Sequence, residues 1–277
     1  MHLTREHIDA YCLSLLADER SAGTISKYRR DLTAFALWLD GRAVTKESAT
    51  AWKACLLNRD YAPRTVNAML AAVNGFCRFA GLPIKLKFLS IQRQIFRDSA
   101  RELTKEEYDR LLTAARESGQ ERLALIMETL CATGIRVSEL RYITVEAALA
   151  GRATITLKGK IRTILLPAKL CRKLVKYARK QKTASGEIFL TKSGKGLSRR
   201  QIWAEMKRLC AAAGVEPSKV FPHNLRHLFA TAFYRACKDI AKLADVLGHS
   251  SIETTRIYLL TSGAEHQRQL DRLGLVS

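Results

Sequence analysis

Two helical stretches separated by a proline-headed gap constrain this chain more than any other feature. Residues 4–80 read as four helices. In the second, Ile25, Tyr28, Leu32, Phe35 and Leu39 fall on one helical face, and the series stops at Gly41. The fourth opens with Pro63 in its first turn, carries Val66, Leu70, Val73 and Phe76 on one face, and ends before Gly81. Pro83 cannot extend that helix, because it lacks the N–H and fixes φ. The run PIKLKFLSIQRQIFRDSAR that follows has no helical period and reads as extended chain. Thr104 and Glu107 then form a capping box that starts a new helical series. Two domains are therefore expected: a helical bundle over residues 1–83 and a larger domain over 102–277, joined by a basic linker at 84–101.

Helices dominate the second domain, with one exception. RATITLKGKIRTILLP holds two β-branched runs, Thr154 to Leu157 and Ile161 to Leu166, joined across Gly159, which is a hairpin pattern. EIFL at 187–190 reads as a third short strand. Ser198 with Gln201 caps a strongly basic helix, SRRQIWAEMKRLC, which Gly214 closes. The expected fold is mainly α with a small β-hairpin, an α+β arrangement.

Charge says what such a chain meets. Lysine and arginine number 47 against 26 acidic residues, a net charge of +21. Between Arg152 and Cys210 there are seventeen basic residues and two acidic ones, Glu187 and Glu205, so fifteen of the twenty-one excess charges lie in this segment. Such self-repulsion destabilises a compact fold unless a polyanion sits there, and nucleic acid is the polyanion expected. The linker, with five basic residues against Asp98 alone, fits a path along a phosphate backbone. On the bundle, Lys27, Arg29, Arg30, Lys53, Arg59 and Arg64 serve either a grip on DNA or an ordinary solvated surface. Seven cysteines, an odd number with no C-x-x-C pair, give no zinc framework and read as small core residues in a reducing compartment. Nowhere do eighteen apolar residues run together and the N-terminus is polar, so neither a membrane partner nor a signal peptide is expected. The expected location is cytoplasmic, at the nucleoid.

Four motifs in fixed order carry the chemistry: TGIRVSEL at 133–140, LKGKIRTILLP at 157–167, PHNLRH at 222–227 and LGHSSIETTRIYLL at 247–260. Together they resemble the tyrosine recombinases of the phage integrase family, nearest in plan to the bacterial Xer type. The resemblance covers essentially the whole chain, with specific motifs in 133–260 and an architectural likeness in 1–82. It implies a SAM-like core-binding bundle ahead of a catalytic domain. It also implies cleavage and rejoining of duplex DNA through a 3′-phosphotyrosyl link, which needs no cofactor and no metal.

Tyr258 matches the family nucleophile. A phenol ordinarily titrates near ~10, so it needs both deprotonation and neutralisation of the phosphate it attacks. Arg136 and Arg226 match the arginines that clamp that phosphate; a guanidinium donates two parallel hydrogen bonds and stays charged at working pH. Glu139 matches an acidic family position that orients its neighbours. His223 matches the residue that helps move the tyrosine proton and His249 the one that hydrogen-bonds the phosphate, tasks suited to imidazole. His223 and His227 also stand four apart, as metal ligands do on a helix, but no carboxylate or cysteine accompanies them. The family places a lysine in the hairpin turn to protonate the leaving 5′ oxygen. Lys158 is the choice on the Lys-Gly anchor, and Lys160 is the rival on distance from Arg136, because the turn here is one residue short.

Lys160, Arg162, Arg199, Arg200 and Gln201 are candidate DNA contacts, to phosphate more than to base edges. The expected partner is double-stranded DNA bearing short core sites, since no arm-binding domain precedes the bundle. On it the family forms a homotetramer, from a chain that is monomeric or weakly associated when free, with a second recombinase as a possible partner. A last helix from about Gly263 to Leu273 resembles the family tail that docks on a neighbouring protomer. LLTS after Tyr258 departs from the Thr-His common in Xer relatives. Integration, excision, inversion and dimer resolution stay open as roles. A type IB topoisomerase and a non-catalytic DNA-binding protein are the alternatives from other classes.

Overall fold

The computed structural model describes residues 1–91, 99–157, 160–191, 193–258, 267–268 and 271–273. It divides into two compact units, Met1–Arg93 and Gln94–Ser277.

The first unit is a bundle of α1 (Arg5–Ala17), α2 (Ala22–Leu39), α3 (Lys46–Asn58) and α4 (Pro63–Phe79). Side chains of Thr4, Ser21 and Thr45 cap the first three N-termini, and Pro63 opens α4, where its missing N–H costs no hydrogen bond. The apolar face read from α4 is fully buried at Val66, Leu70, Val73 and Phe76. It packs with Leu32, Phe35, Leu39 and Trp52, the last two aromatic rings lying 4.7 Å apart. Each such side chain contributes about 1.5–3 kcal/mol by leaving water.

The stretch after Pro83, read as an extended linker, runs without helix or strand through residue 91 and is tied to the bundle. Asn74 accepts from the Leu86 N–H at 2.7 Å and donates to the Leu86 carbonyl at 2.9 Å; Asn67, two turns earlier, does the same to Leu89 at 2.7 and 2.9 Å. A primary amide offers the same donor and acceptor pair as a backbone peptide, so α4 holds this extended chain as a neighbouring strand would. Leu86 is buried in the bundle core. Lys46 and Lys53 donate to the Lys85 and Lys87 carbonyls. Of the basic residues offered as a DNA grip, Lys27 pairs with Asp31 and Arg29 with Asp9, whereas Arg59 and Arg64 are exposed. The basic stretch at 92–98 lies outside the described residues.

The second unit contains α5 (Lys105–Glu117), α6 (Glu121–Thr133), a 3-10 turn (Val137–Tyr142), α7 (Val145–Ala150), strands β1 (Arg152–Leu157) and β2 (Lys160–Leu165), α8 (Ala168–Lys180), α9 (Arg199–Arg208), α10 (Cys210–Ala213), α11 (Pro222–Cys237), α12 (Ile240–Leu247) and α13 (Ile252–Arg256). The capping boxes at Thr104/Glu107 and Ser198/Gln201 both form. α6 is the central helix, buried at Leu123, Ile126, Met127 and Leu130, and it packs against α11. β1 and β2 pair antiparallel with Arg152 opposite Leu165 and Leu157 opposite Lys160. Lys158 and Gly159, between these strands in sequence, lie outside the described residues, as does most of the helix expected at 263–273.

Residues 187–190 form no strand. Glu187 and Leu190 make single bridges to Thr144 and Gly196, and the sheet is two-stranded among the described residues. Ile188 and Phe189 are buried there, so the apolar run packs as an irregular segment. No helix among the described residues is long and apolar enough to cross a membrane.

Candidate active site

The site begins where α6 stops. Gly134 ends that helix at φ +64°, a left-handed conformation open to glycine, and a Cβ there would lie 2.3 Å from the Phe229 ring. The chain can therefore turn sharply beside α11, and two residues later Arg136 opens the 3-10 turn. Glu139 folds back onto it: its carboxylate accepts from the Arg136 N–H at 2.7 Å and from Nη1 at 3.1 Å. Glu139 is only 1% exposed, while the Arg136 side chain is 42% exposed. One edge of the guanidinium is thus held and the rest faces outward.

α11 presents His223, Arg226 and His227 within its first two turns. Arg226 is 2% exposed, so its charge needs partners. Nη1 donates to the Gly134 carbonyl at 2.5 Å; Nη2 donates to the Leu247 carbonyl at 2.8 Å and to His249 Nε2 at 2.9 Å. The Leu247 carbonyl is one of the acceptors left unpaired at the end of α12, where a cation is favoured. Gly248, also left-handed at φ +64°, turns the chain so that His249 reaches this guanidinium. His249 Nδ1 bonds Thr255 Oγ1 at 2.9 Å.

Tyr258 is buried at the end of this arrangement, packed with Ala230, Leu243 and Leu247. Its phenol lies within electrostatic reach of Arg226 and acts to raise the pKa of that guanidinium. Three imidazoles surround the ring: His249 stacked at 6.0 Å and 12°, His223 at 6.2 Å, and His227 edge-on at 5.1 Å. Burial and then Arg226, Arg199 and Arg136 hold the His223 pKa below its ordinary value. The same causes, burial first and then Arg226 and Arg136, push His249 down to about 4. Burial, then Arg136, also lowers Arg226.

Two clefts meet at Arg136 and Ser138. One, of about 220 Å³, is lined by Arg136, Ser138, Arg199, His223 and Arg226; the other, of about 530 Å³, by Arg136, Glu139, Arg162, Gly248 and His249. The first concentrates three guanidiniums and an imidazole on a volume suited to a phosphate group.

The structure thus brings together Arg136, Glu139, His223, Arg226, His249 and Tyr258 from motifs spread over more than a hundred residues. Lys158 and the Lys160 side chain lie outside the described residues. Arg199 lines the smaller cleft and Arg200 is exposed. The Gln201 side-chain carbonyl is engaged with the Ser198 N–H at 2.9 Å as part of the helix cap. Arg162 turns inward to Glu139 at 2.7 Å and the Val246 carbonyl at 2.6 Å, in place of the free surface expected of a phosphate contact. Sequence reasoning missed Thr255, the fully buried partner of His249, and the edge contact of His227, whose Nε2 lies 3.7 Å from Glu102. The spacing of His227 four residues after His223, one helical turn, was the available signal for the second.

Residues 101–264 match the phage integrase family, and residues 8–81 match the phage integrase N-terminal SAM-like domain. The chain is 34% identical to tyrosine recombinase XerC of Roseiflexus castenholzii, over 91% of this chain and 88% of the relative. It is 28% identical to tyrosine recombinase XerA of Pyrococcus furiosus, over 99% and 96%. Its fold resembles that of the XerH site-specific recombinase bound to difH substrate, with a TM-score of 0.71 at 18% identity over 97% of this chain and 84% of that one. It also resembles a lambda integrase tetramer bound to a Holliday junction, with a TM-score of 0.71 at 19% identity over 91% and 76%. With a family match over more than half its length and relatives aligned almost end to end, this chain belongs to the phage integrase family and is one of its tyrosine recombinases.

Proposed function

We propose that this recombinase breaks and rejoins duplex DNA at short core sites by attack of Tyr258 on a scissile phosphate seated in the smaller cleft. The observation that carries the reading is the burial of Tyr258 against the rings of His223 and His249, with His249 bonded to the guanidinium of Arg226 and with Arg136, His223 and Arg226 lining the cleft. Tyr258 Oη forms a bond to phosphorus as its proton passes to His223. The P–O5′ bond breaks, the leaving oxygen takes a proton from the hairpin lysine, Lys158 or its rival Lys160, and the 3′ end stays on the tyrosine. The 5′-hydroxyl of a partner strand reverses the step and frees Tyr258. The phosphoester energy is conserved in the protein link, so the cycle consumes no nucleotide.

Charge fits this chemistry. Arg136, Arg162 and Arg226 set against Glu139 leave a net of +2, which suits a pentacovalent phosphorus carrying the charge of both the diester and the phenolate. Burial first, and then Arg226 and neighbouring arginines, holds both imidazoles below their ordinary pKa and so neutral at working pH. A bound phosphate offsets that positive field and raises their basicity when substrate arrives.

The bundle is the core-binding domain, with Arg59 and Arg64 among its exposed cations, and residues 102–277 form the catalytic domain. Arg199 and Arg200 at the start of α9 contact the DNA backbone. Four copies assemble on two sites, with a second recombinase as a possible partner, and the working location is the cytoplasm at the nucleoid. The test is incubation with nicked suicide duplexes bearing candidate sites. A covalent protein–DNA adduct followed by strand exchange between two sites is expected. Tight cognate binding without an adduct refutes catalysis; an adduct without exchange, with relaxation of any plasmid, assigns topoisomerase activity instead.

A further inference from the structure

Arg162 leaves the inner face of β2 and touches three separate segments around the reacting centre. Its Nη2 donates to Glu139 Oε2 at 2.7 Å and its Nη1 to the Val246 carbonyl at 2.6 Å. Its stem passes Gly248, where a Cβ would fall 2.6 Å from Arg162 Cδ and 2.8 Å from Nε. The side chain is 16% exposed. One guanidinium therefore ties the hairpin to the loop that carries Arg136 and to the turn that carries His249.

The charge arrangement gives this contact a task. Glu139 is a buried carboxylate, and a buried carboxylate needs neutralising. Arg162 occupies Oε2, while Arg136 meets Oε1 through a single Nη at 3.1 Å. If Arg162 were absent, Arg136 would be the one cation left on Glu139 and would be drawn inward, away from the cleft. The Val246 carbonyl at the end of α12 would lose its donor, and the space beside Gly248 would open.

We propose that Arg162 is a positioning residue of the recombination reaction, neutralising Glu139 so that Arg136 stays turned toward the phosphate and fixing the Gly248–His249 turn, without itself contacting DNA. The inference rests on the recombinase reading of the site. Arg162 acts through Arg136 and His249, and it anchors the strand that starts at Lys160 to both.

The test compares wild type, Arg162→Ala, Arg162→Lys, Glu139→Gln and the Arg162→Ala/Glu139→Gln double variant. Single-turnover adduct formation on a suicide duplex and the salt dependence of DNA affinity are measured for each, with folding checked by circular dichroism. The Arg162→Ala adduct rate should fall about 10- to 100-fold, as loss of a supporting contact to a reacting group does. Affinity and the slope of log K against log salt should stay at wild-type values, because a lost phosphate contact reduces that slope by about one. In the Glu139→Gln background, where no carboxylate charge needs neutralising, removing Arg162 should cost much less than it does alone. A slope reduced by about one makes Arg162 a DNA contact and overturns the proposal. So does an unchanged rate, or effects that multiply in the double variant. If Arg162→Ala fails to fold, Arg162→Lys carries the test: one ammonium cannot serve Glu139 and Val246 in the same geometry, so wild-type rate in that variant overturns the proposal. Failure of the wild type itself to form an adduct refutes the recombinase reading and leaves the role of Arg162 a separate matter.

Discussion

Arg226 Nη2 and His249 Nε2 lie 2.9 Å apart, and because a guanidinium only donates, the imidazole nitrogen must accept. His249 is therefore neutral, with its proton on Nδ1 and directed at Thr255 Oγ1. Burial, Arg226 and Arg136 push its pKa down to about 4. The unfolded chain takes up this proton near the ordinary value of about 6.5, whereas the folded chain does not until about pH 4. Stability should thus fall as pH drops from about 6.5 toward 4, with His223 adding to the same trend. Urea midpoints at pH 7.5, 6 and 5 check this. His249→Asn, which keeps an acceptor for Arg226, should show a shallower decline, and an identical decline in the variant contradicts the assignment.

Tyr258→Phe should keep its ring among the three imidazoles and lose only its hydroxyl. Stability should change by no more than about 1 kcal/mol, the usual net worth of one hydrogen bond. DNA affinity should be unchanged and covalent adduct absent. An adduct formed by the variant would place the nucleophile elsewhere.

Gly134→Ala should be among the more damaging small substitutions in the protein. Its backbone is left-handed and the added carbon meets the Phe229 ring at 2.3 Å. A strained backbone together with overpacking predicts a loss of about 2–4 kcal/mol. Because the Gly134 carbonyl accepts from Arg226, adduct formation should fall as well, even under conditions where the variant stays folded. Denaturant melts paired with single-turnover assays measure both effects.

The two hairpin lysines are separated by a leaving group that needs no proton. Lys158→Ala and Lys160→Ala should differ sharply on ordinary DNA, with Lys158→Ala the slower. A substrate with sulfur at the 5′-bridging position should restore cleavage to the variant lacking the acid. Restoration of Lys160→Ala alone would assign the acid to Lys160.

The helical periods and caps were legible because each reports a local rule. Val66, Leu70, Val73 and Phe76 are all buried, and Thr104 and Ser198 both cap as their spacing requires. The arginines, histidines and tyrosine of the site were legible through their motifs. The inward bonding of Arg162, named only as a DNA contact, was not, because its strand inverts the usual pattern: Ile161 and Leu165 are 73% and 76% exposed, while Arg162 and Ile164 face inward. A period-two reading that puts apolar residues inside sends this arginine to the surface. Thr255 was equally hidden, since a threonine's value as a partner depends on a histidine that only tertiary structure brings to it. The run at 187–190 has strand composition but meets its neighbours through single bridges, so composition alone overstated it.

The amide clasps of Asn67 and Asn74 have a practical consequence for where the N-terminal unit can be cut. The match to the SAM-like domain stops at residue 81, yet the chain keeps folding onto α4 through Leu89. A fragment ended at residue 82 would strip Leu86 from the core, a loss of about 1.5–3 kcal/mol, and leave two asparagine amides without their peptide partners. One ended at residue 91 keeps them. The seam between helix and tail is thus part of the bundle's own cohesion, and excision at the helix boundary should yield the weaker of the two fragments.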